Sequence, residues 1–280
     1  MNLASIIGDE MKRFPPLFFA LLILLVPCST VYAQIGNLLN CPTSTIFGSN
    51  EPEQVHISLT DIANQMQVSW ATEAQTDSVV EWGQDGDLSS SATGDSFCYD
   101  HDMVFHTATM DGLSEDSIYS YRVGDGDSMS EVFTFQTRNS SGVVDFIAFG
   151  DHGLSDEGMT TTDLITDSDV DFVLLSGDIS YANGEQSVWD DYMTYNEKSM
   201  SRTPWMMAPG NHENETGYGF SAYETRFEFP SQGGNDLYHH FTVGAVQVIQ
   251  FSTEHDFTSG SEQYNWLEGT LQNANALRGE

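Results

Sequence analysis

Three short polar blocks, each directly after an apolar run, constrain the fold of this chain more than any other feature. The blocks are Gly150-Asp151-His152-Gly153, Gly177-Asp178-Ile179-Ser180-Tyr181 and Gly210-Asn211-His212-Glu213. The apolar runs before them cover residues 143–149, 170–175 and 205–208. Such runs predict strands that are buried on both faces. Helix-like segments follow at 159–167, 188–200 and 262–276. This alternation predicts an α/β domain over residues 143–280.

The blocks supply the donors that a site for two metal ions requires. In open α/β sheets, ligands bind beyond the carboxyl ends of the strands, where all three blocks fall. Asp151, Asp178, Tyr181 and Asn211 offer carboxylate, phenol and amide oxygens, which hard cations prefer. Two ions about 3.5–4 Å apart share a ligand, and a carboxylate with two oxygens suits that role. Alone, each block has a plainer interpretation as a turn or a packing residue. Together they predict a metal centre, with His212 placed to reach a bound substrate.

Residues 51–138 have a different pattern, in which short alternating runs are separated by turns. The runs cover residues 54–59, 65–70, 79–82, 104–110, 119–123 and 131–137. Strands of this size and spacing predict an all-β sandwich. Gly112-Leu113 followed by Tyr119-Ser120-Tyr121 resembles the late strands of a fibronectin type III domain. Residues 138–142 are polar and indicate a linker to the α/β domain.

The N-terminus has the features of a secretory signal peptide. Lys12-Arg13 forms a basic region, residues 17–26 are almost entirely apolar, and Val31-Tyr32-Ala33 gives a cleavage site. An uncleaved membrane anchor is the alternative, but the apolar run is shorter than the ~20 residues of a membrane span. We therefore expect residues 1–33 to be removed, residues 34–50 to form a polar lead-in, and the protein to be secreted and free of the membrane.

The acidic composition excludes some partners. The chain has 8 basic and 42 acidic residues, for a net charge of −34. Removing residues 1–33 takes away two basic and two acidic residues, so the net charge stays −34. Such a surface repels nucleic acid and anionic membranes, and its simplest interpretation is a solvated acidic coat.

Cysteines and sequons give two further expectations for a secreted protein. Cys41 and Cys98 remain after signal removal, so one disulfide is expected, with two free thiols as the alternative. N-x-[ST] sequons at Asn139 and Asn214 predict a glycoprotein. A glycan on Asn214 would lie just beyond the third block.

GDHG, GDISY and GNHE resemble the first three signature blocks of the purple acid phosphatases, a branch of the metallophosphoesterases. Residues 52–56 are similar to the opening of that family's fibronectin-like N-terminal domain, and 251–254 with 263–267 to the segment after its third block. Gly153 and Tyr181 favour this branch. The resemblance covers most of the chain after the signal, and implies an acid phosphatase that acts on phosphomonoesters.

The resemblance also implies a role for each site residue. Asp151 and Tyr181 would bind Fe(3+), with the tyrosine phenolate giving the purple colour. Asp178 would bridge to a divalent iron, zinc or manganese ion, and Asn211 would bind that second ion. His212 would be catalytic, through a hydrogen bond to the substrate phosphate. A metal-bound hydroxide would attack phosphorus in line.

Two blocks of the family, V-x-x-H and G-H-x-H, do not occur in this sequence. They supply three histidine ligands, so four of the seven implied ligands are present. The other histidines are predicted to be structural or surface residues: His56, His101, His106, His239, His240 and His255. We expect a C-terminally truncated chain whose α/β domain is incomplete, with weak or no activity. The alternatives are a phosphodiesterase or nucleotide hydrolase on the same scaffold, and a non-catalytic secreted binding protein.

Overall fold

A computed structural model describes residues 41–46, 48–137, 142–229 and 233–278. All of these residues lie within one compact unit. The predicted signal peptide and the sequon at Asn139 lie outside the described residues, so both stay predictions. Among the helices of the described residues, none combines the length and apolar character needed to cross a bilayer.

The first half of the described chain forms two antiparallel sheets of four strands each. The strands are β1 Glu53–Leu59, β2 Met66–Thr72, β3 Val79–Gln84, β4 Ser90–Thr93, β5 Asp95–Phe97, β6 Val104–Met110, β7 Ile118–Gly124 and β8 Phe133–Gln136. The orders are β1-β2-β6-β5 in one sheet and β4-β3-β7-β8 in the other. Both sheets contribute to one apolar core, for example through Ile57, Val68, Val80 and Tyr121. The predicted β-sandwich is confirmed.

The second half is built on three parallel strands. They are β9 Phe146–Phe149, β10 Phe172–Ser176 and β11 Trp205–Ala208, in the order β11-β10-β9. Leu174 of β10 pairs with Ala148 on one side and Met206 on the other. The helices are α1 Asp156–Thr166, α2 Gln186–Met200, α3 Ser221–Arg226 and α4 Glu262–Arg278. A hairpin of β12 His239–Val243 and β13 Val246–Gln250 follows α3. The predicted α/β organisation is therefore confirmed.

The sandwich and the α/β part share a buried aromatic cluster. Tyr99 and Phe105 from the sandwich belong to one buried cluster with Trp189 of α2 and with Phe227, which follows α3. The guanidinium of Arg226 lies over this cluster, 4.7 Å from the Phe105 ring centroid. The two parts are therefore joined by a buried contact of apolar and aromatic side chains.

Cys41 and Cys98 form a disulfide, with their Cα atoms 5.0 Å apart. The predicted pairing is thus confirmed. The bond ties the short 3₁₀ helix Thr43–Ile46 to the segment after β5. It closes a loop of 57 residues and removes conformational freedom from the unfolded chain.

Several of the remaining histidines are structural, as predicted. His56 contacts the backbone carbonyl of Arg226 through Nε2 at 2.8 Å. His106 lies between the hydroxyls of Thr72 and Ser78, each 2.8 Å from a ring nitrogen. Burial lowers the pKa of His106 to about 4, so its ring is neutral at pH 7. His106 therefore serves the packing of the sandwich, and His56 connects the sandwich to the α/β part.

Candidate metal centre

The first two blocks lie side by side because the parallel pairing of β9 and β10 continues past the ends of both strands. Backbone N–H groups of Asp151 and His152 donate to the carbonyls of Gly177 and Asp178, at 3.1 and 2.9 Å. Gly153 then donates to the carbonyl of Ile179 at 2.8 Å. The ladder places Asp151 and Asp178 at the carboxyl edge of the sheet, where sequence reasoning predicted the site.

Three of the predicted metal ligands have left-handed backbone conformations. The φ angles are 57° at Asp151, 55° at Asp178 and 58° at Tyr181. This region is uncommon for residues other than glycine, and each such residue costs on the order of 1–3 kcal/mol. Strain of this kind concentrates at functional sites, where it directs a side chain that an ordinary turn would point elsewhere. The backbone therefore supports the assignment of these residues to one site.

The side chains of the first two blocks meet in a single oxygen-rich contact. The Tyr181 hydroxyl donates to Asp151 Oδ1 at 2.7 Å and lies 3.5 Å from Asp178 Oδ2. The hydrogen bond to the Asp151 carboxylate raises the pKa of Tyr181 well above its usual range. A cation held by the two carboxylates would oppose this effect, because its positive charge favours the phenolate.

His212 is oriented toward this contact by two hydrogen bonds. Its backbone N–H donates to Asp178 Oδ1 at 3.2 Å, and its ring lies 4.5 Å from the Tyr181 ring, between centroids. Ring atom Nδ1 is 2.6 Å from Asn183 Oδ1, while Asn183 Nδ2 donates to the Tyr181 carbonyl at 2.8 Å. Since Asn183 presents its oxygen to the ring, Nδ1 carries the proton. Nε2 is then the nitrogen on the site's side, 4.0 Å from Asp178 Oδ2.

Asn211 lies at the same edge, as the first residue of the 3₁₀ helix Asn211–Glu213. Its side chain is exposed. The structure thus brings Asp151, Asp178, Tyr181 and His212 into contact and places Asn211 next to them along the chain. The oxygen donors fit part of the shell of a hard cation. Over the described ranges, no three His, Cys, Asp or Glu side chains form a group that could hold a metal ion.

Glu213 is a central residue of the site to which sequence reasoning gave no role. Its buried carboxylate accepts N–H groups from Asp178 at 2.9 Å, Ile179 at 2.8 Å and Gly210 at 2.7 Å. Burial raises the pKa of Glu213, and these three donors oppose that rise. One carboxylate therefore fixes the second and third blocks relative to each other. The only signal in the sequence was an acidic residue at the end of a glycine-containing turn.

Glu215 is a second buried carboxylate that sequence reasoning did not identify. It accepts hydrogen bonds from the backbone N–H of Gly184, at 3.2 Å, and from the side chains of Gln186 and Trp189, at 2.8 and 3.1 Å. Gly184 follows Asn183, the partner of the His212 ring. Glu215 therefore holds the loop after the second block in place.

His152, in the first block, is turned away from the site. Its ring nitrogens lie 2.7 Å from the Tyr192 hydroxyl and 3.0 Å from the Gly158 carbonyl. Burial lowers the pKa of His152. It packs the turn against α1 and α2 and is not available to a metal ion.

Comparison with known proteins assigns a class to this arrangement. Residues 145–277 match the family described as calcineurin-like phosphoesterase, and residues 52–137 match the purple acid phosphatase N-terminal domain. The chain therefore has a calcineurin-like phosphoesterase fold that follows an N-terminal sandwich. The yellow lupin purple acid phosphatase PPD1 shares this fold, with a TM-score of 0.73 at 22% identity over 81% of this chain and 49% of the lupin chain.

The sequence relatives narrow this class to one family. "Probable purple acid phosphatase 20" of Arabidopsis thaliana is 34% identical over 235 residues, which are 79% of this chain and 55% of that protein. "Acid phosphatase type 7" of Danio rerio is 34% identical over 247 residues, 80% of this chain and 55% of that protein. The chain belongs to the purple acid phosphatase family. It spans about half the length of these curated relatives.

Proposed function

We propose that the protein hydrolyses phosphate monoesters at a metal centre to which Asp151, Asp178, Tyr181 and Asn211 contribute. The observation that carries the proposal is the contact of the Tyr181 hydroxyl with the Asp151 carboxylate, 2.7 Å, beside Asp178. Two carboxylates alone would repel an anionic phosphate, so a phosphoester can bind at this edge only together with cations. Membership of the purple acid phosphatase family supports both the metal dependence and the reaction class.

Each residue of the centre would have a role that follows from its chemistry. Asp151 and Tyr181 would hold Fe(3+), and Asp178 with Asn211 would hold a divalent iron, zinc or manganese ion. When bound, such ions offset the charge of the phosphoryl oxygens and supply a nucleophile at neutral or acidic pH. Glu213 keeps Asp178 and the third block at a fixed separation.

His212 would contact the substrate. Its Nδ1 proton is directed at Asn183, so Nε2 is the ring nitrogen on the side of the site and would form the hydrogen bond to the substrate phosphate.

The test compares metal retention and turnover in matched variants. The chain is loaded with iron and zinc, desalted and analysed for metal, and p-nitrophenyl phosphate hydrolysis is followed at acid pH. Asp178→Asn should lose metal affinity by about 10–100-fold or more. Asp191→Asn, an exposed carboxylate on α2, is the control and should retain both metal and turnover. We expect slow turnover from this chain, because four of the seven implied ligands are present.

Two results would contradict the proposal. Equal metal retention and equal hydrolysis by Asp178→Asn and Asp191→Asn would show that Asp178 does not contribute to a metal centre. Faster hydrolysis of bis(p-nitrophenyl) phosphate than of the monoester would overturn the monoester assignment and favour the phosphodiesterase alternative.

We also propose that the protein is exported and glycosylated, and binds neither nucleic acid nor membranes. The Cys41–Cys98 disulfide is typical of an oxidising compartment. In the sequon of residues 214–216, Asn214 and Thr216 are exposed while Glu215 points into the core, so both recognition side chains face outward. Secretion from a eukaryotic host and glycosidase treatment test this: Asn214→Gln should lose one glycan mass. An unchanged mass would exclude a glycan at this position.

A further inference from the structure

A buried chain of hydrogen bonds joins the sandwich to the candidate site. Arg226 of α3 donates through Nη1 to the Tyr99 hydroxyl at 2.5 Å. Tyr99 donates to Gln186 Oε1 at 2.5 Å, and Gln186 Nε2 donates to Glu215 Oε2 at 2.8 Å. No member of the chain is more than 8% exposed. Tyr99, between β5 and β6, belongs to the sandwich, whereas the other three residues belong to the α/β part.

The direction of each hydrogen bond is fixed by the two ends of this chain. A guanidinium only donates and a carboxylate only accepts. Gln186 must therefore turn its NH₂ group to Glu215 and its carbonyl to Tyr99. Tyr99 in turn must give its single proton to Gln186 and accept from Arg226. Removal of the Tyr99 hydroxyl would take a partner from a buried donor and a buried acceptor at once.

The far end of the chain reaches the residue that orients His212. Besides Gln186, Glu215 accepts the backbone N–H of Gly184 at 3.2 Å. Asn183 and Gly184 both have left-handed backbones, with φ angles of 54° and 99°. Such a turn persists when its surroundings hold it. Asn183 Oδ1 then lies 2.6 Å from His212 Nδ1.

We propose that Tyr99 is a positioning residue for His212, acting through Gln186, Glu215 and the Asn183 turn. The sandwich would then help to hold the candidate site in its geometry, in addition to being a separate folded part of the chain. The inference rests on the proposed function only where it assigns His212 to the substrate. The positioning itself is a property of the chain without metal.

The test uses two tyrosines of the sandwich that make matched contacts. Tyr121 also donates from the sandwich to the α/β part, to the Ser201 carbonyl at 2.7 Å, and is also buried. Ser201 follows the end of α2 opposite to Gln186. Tyr121→Phe therefore removes a similar contact that does not lead to the site, and is the control for Tyr99→Phe.

The readouts are NMR signals of the full chain at one fixed pH, with ¹⁵N-labelled histidine and tryptophan. The variants His212→Gln and Trp189→Phe identify the two signals. Tyr99→Phe should shift the Trp189 indole N–H signal and change the ratio of His212 ring tautomers by about 2-fold or more. Tyr121→Phe should leave both unchanged. Asn183→Ala, which removes the Nδ1 partner directly, should change the His212 tautomer ratio alone.

Unchanged signals in Tyr99→Phe, with a stability loss like that of Tyr121→Phe, would overturn the inference. If Tyr99→Phe does not fold, Gln186→Met interrupts the same chain and must produce the same two changes. These readouts require neither metal nor turnover. Equal metal retention and equal hydrolysis by Asp178→Asn and Asp191→Asn would therefore contradict the proposed function and leave this inference standing.

Discussion

The Glu213 carboxylate accepts the backbone N–H of Asp178 at 2.9 Å, although 35 residues separate the two in the chain. The same oxygen accepts the N–H of Gly210 at 2.7 Å. Glu213 thereby sets the separation of the turns that carry Asp178 and Asn211. The geometry of the candidate centre depends on this carboxylate.

Glu213→Gln should destabilise the fold and weaken the metal centre. An amide offers one acceptor oxygen, so at least one of the three backbone N–H groups would face an NH₂ donor. Hydrogen bonds to a charged group contribute about 1.5–3 kcal/mol each, so we expect a loss of about 2–4 kcal/mol in the free energy of unfolding. Urea unfolding measures it, with the exposed Glu224→Gln on α3 as control. Equal stability of the two variants would contradict the structural role of Glu213.

Cys98→Ser should lower the free energy of unfolding by about 2–4 kcal/mol. The disulfide to Cys41 closes a loop of 57 residues, and its loss restores that freedom to the unfolded chain. Unfolding of the parent protein with and without a reducing agent provides the control. The reduced parent and the variant should have the same midpoint. A variant as stable as the oxidised parent would show that the bond adds nothing.

The sequence was sufficient for the parallel strands and for the oxygen donors. The runs before Asp151, Asp178 and Asn211 are mostly apolar, so the strands and their carboxyl ends were recognisable. Burial on both faces was correctly predicted for most of β10 and for β11 but was wrong for β9, where Phe146 is 45% exposed. β4 and β5 were not predicted, because Ser90–Thr93 and Asp95–Phe97 are short, polar and largely exposed. α3, Ser221–Arg226, has six residues, too few for a periodic pattern.

The hydrogen bonds that hold the site in place could not be predicted from the sequence, for a different reason. Glu213 and Asp178 are 35 positions apart, and Tyr99 and Gln186 are 87 apart. A local pattern identifies which side chains carry suitable atoms. It contains no information about which buried donor meets which acceptor once the two halves of the chain have packed together.

Asp236→Asn should stabilise the protein at neutral pH. Burial raises the pKa of Asp236 to about 6, and nearby Glu228 adds to the rise. A raised pKa in the folded state means that stability is greatest below the unfolded value of about 3.8 and is lost as the pH rises through 6. Asparagine avoids this loss and can still accept the Phe229 N–H, 2.9 Å away in the parent.

We expect a gain of about 1–3 kcal/mol at pH 7 for Asp236→Asn, shrinking to nothing near pH 4. Urea unfolding of parent and variant across this range measures it. Asp256→Asn, at an exposed position, should show no gain at pH 7 and serves as the control. A gain for Asp236→Asn that stays constant with pH would exclude titration of this carboxyl as its cause.

Gly177→Ala should separate the second and third blocks. Gly177 has φ 83°, and an added Cβ would lie 2.8 Å from Gly210 Cα, so the two turns would have to move apart. Gly86 is the matched control, since its φ of 78° is similar and an added Cβ meets nothing within 4 Å. In both variants the left-handed backbone should lower the free energy of unfolding by about 1–2 kcal/mol. Only Gly177→Ala should lose more than this and also lose iron retention, measured by urea unfolding and metal analysis. Equal stability and equal iron retention in the two variants would show that the close approach of Gly177 to Gly210 does not matter to the centre.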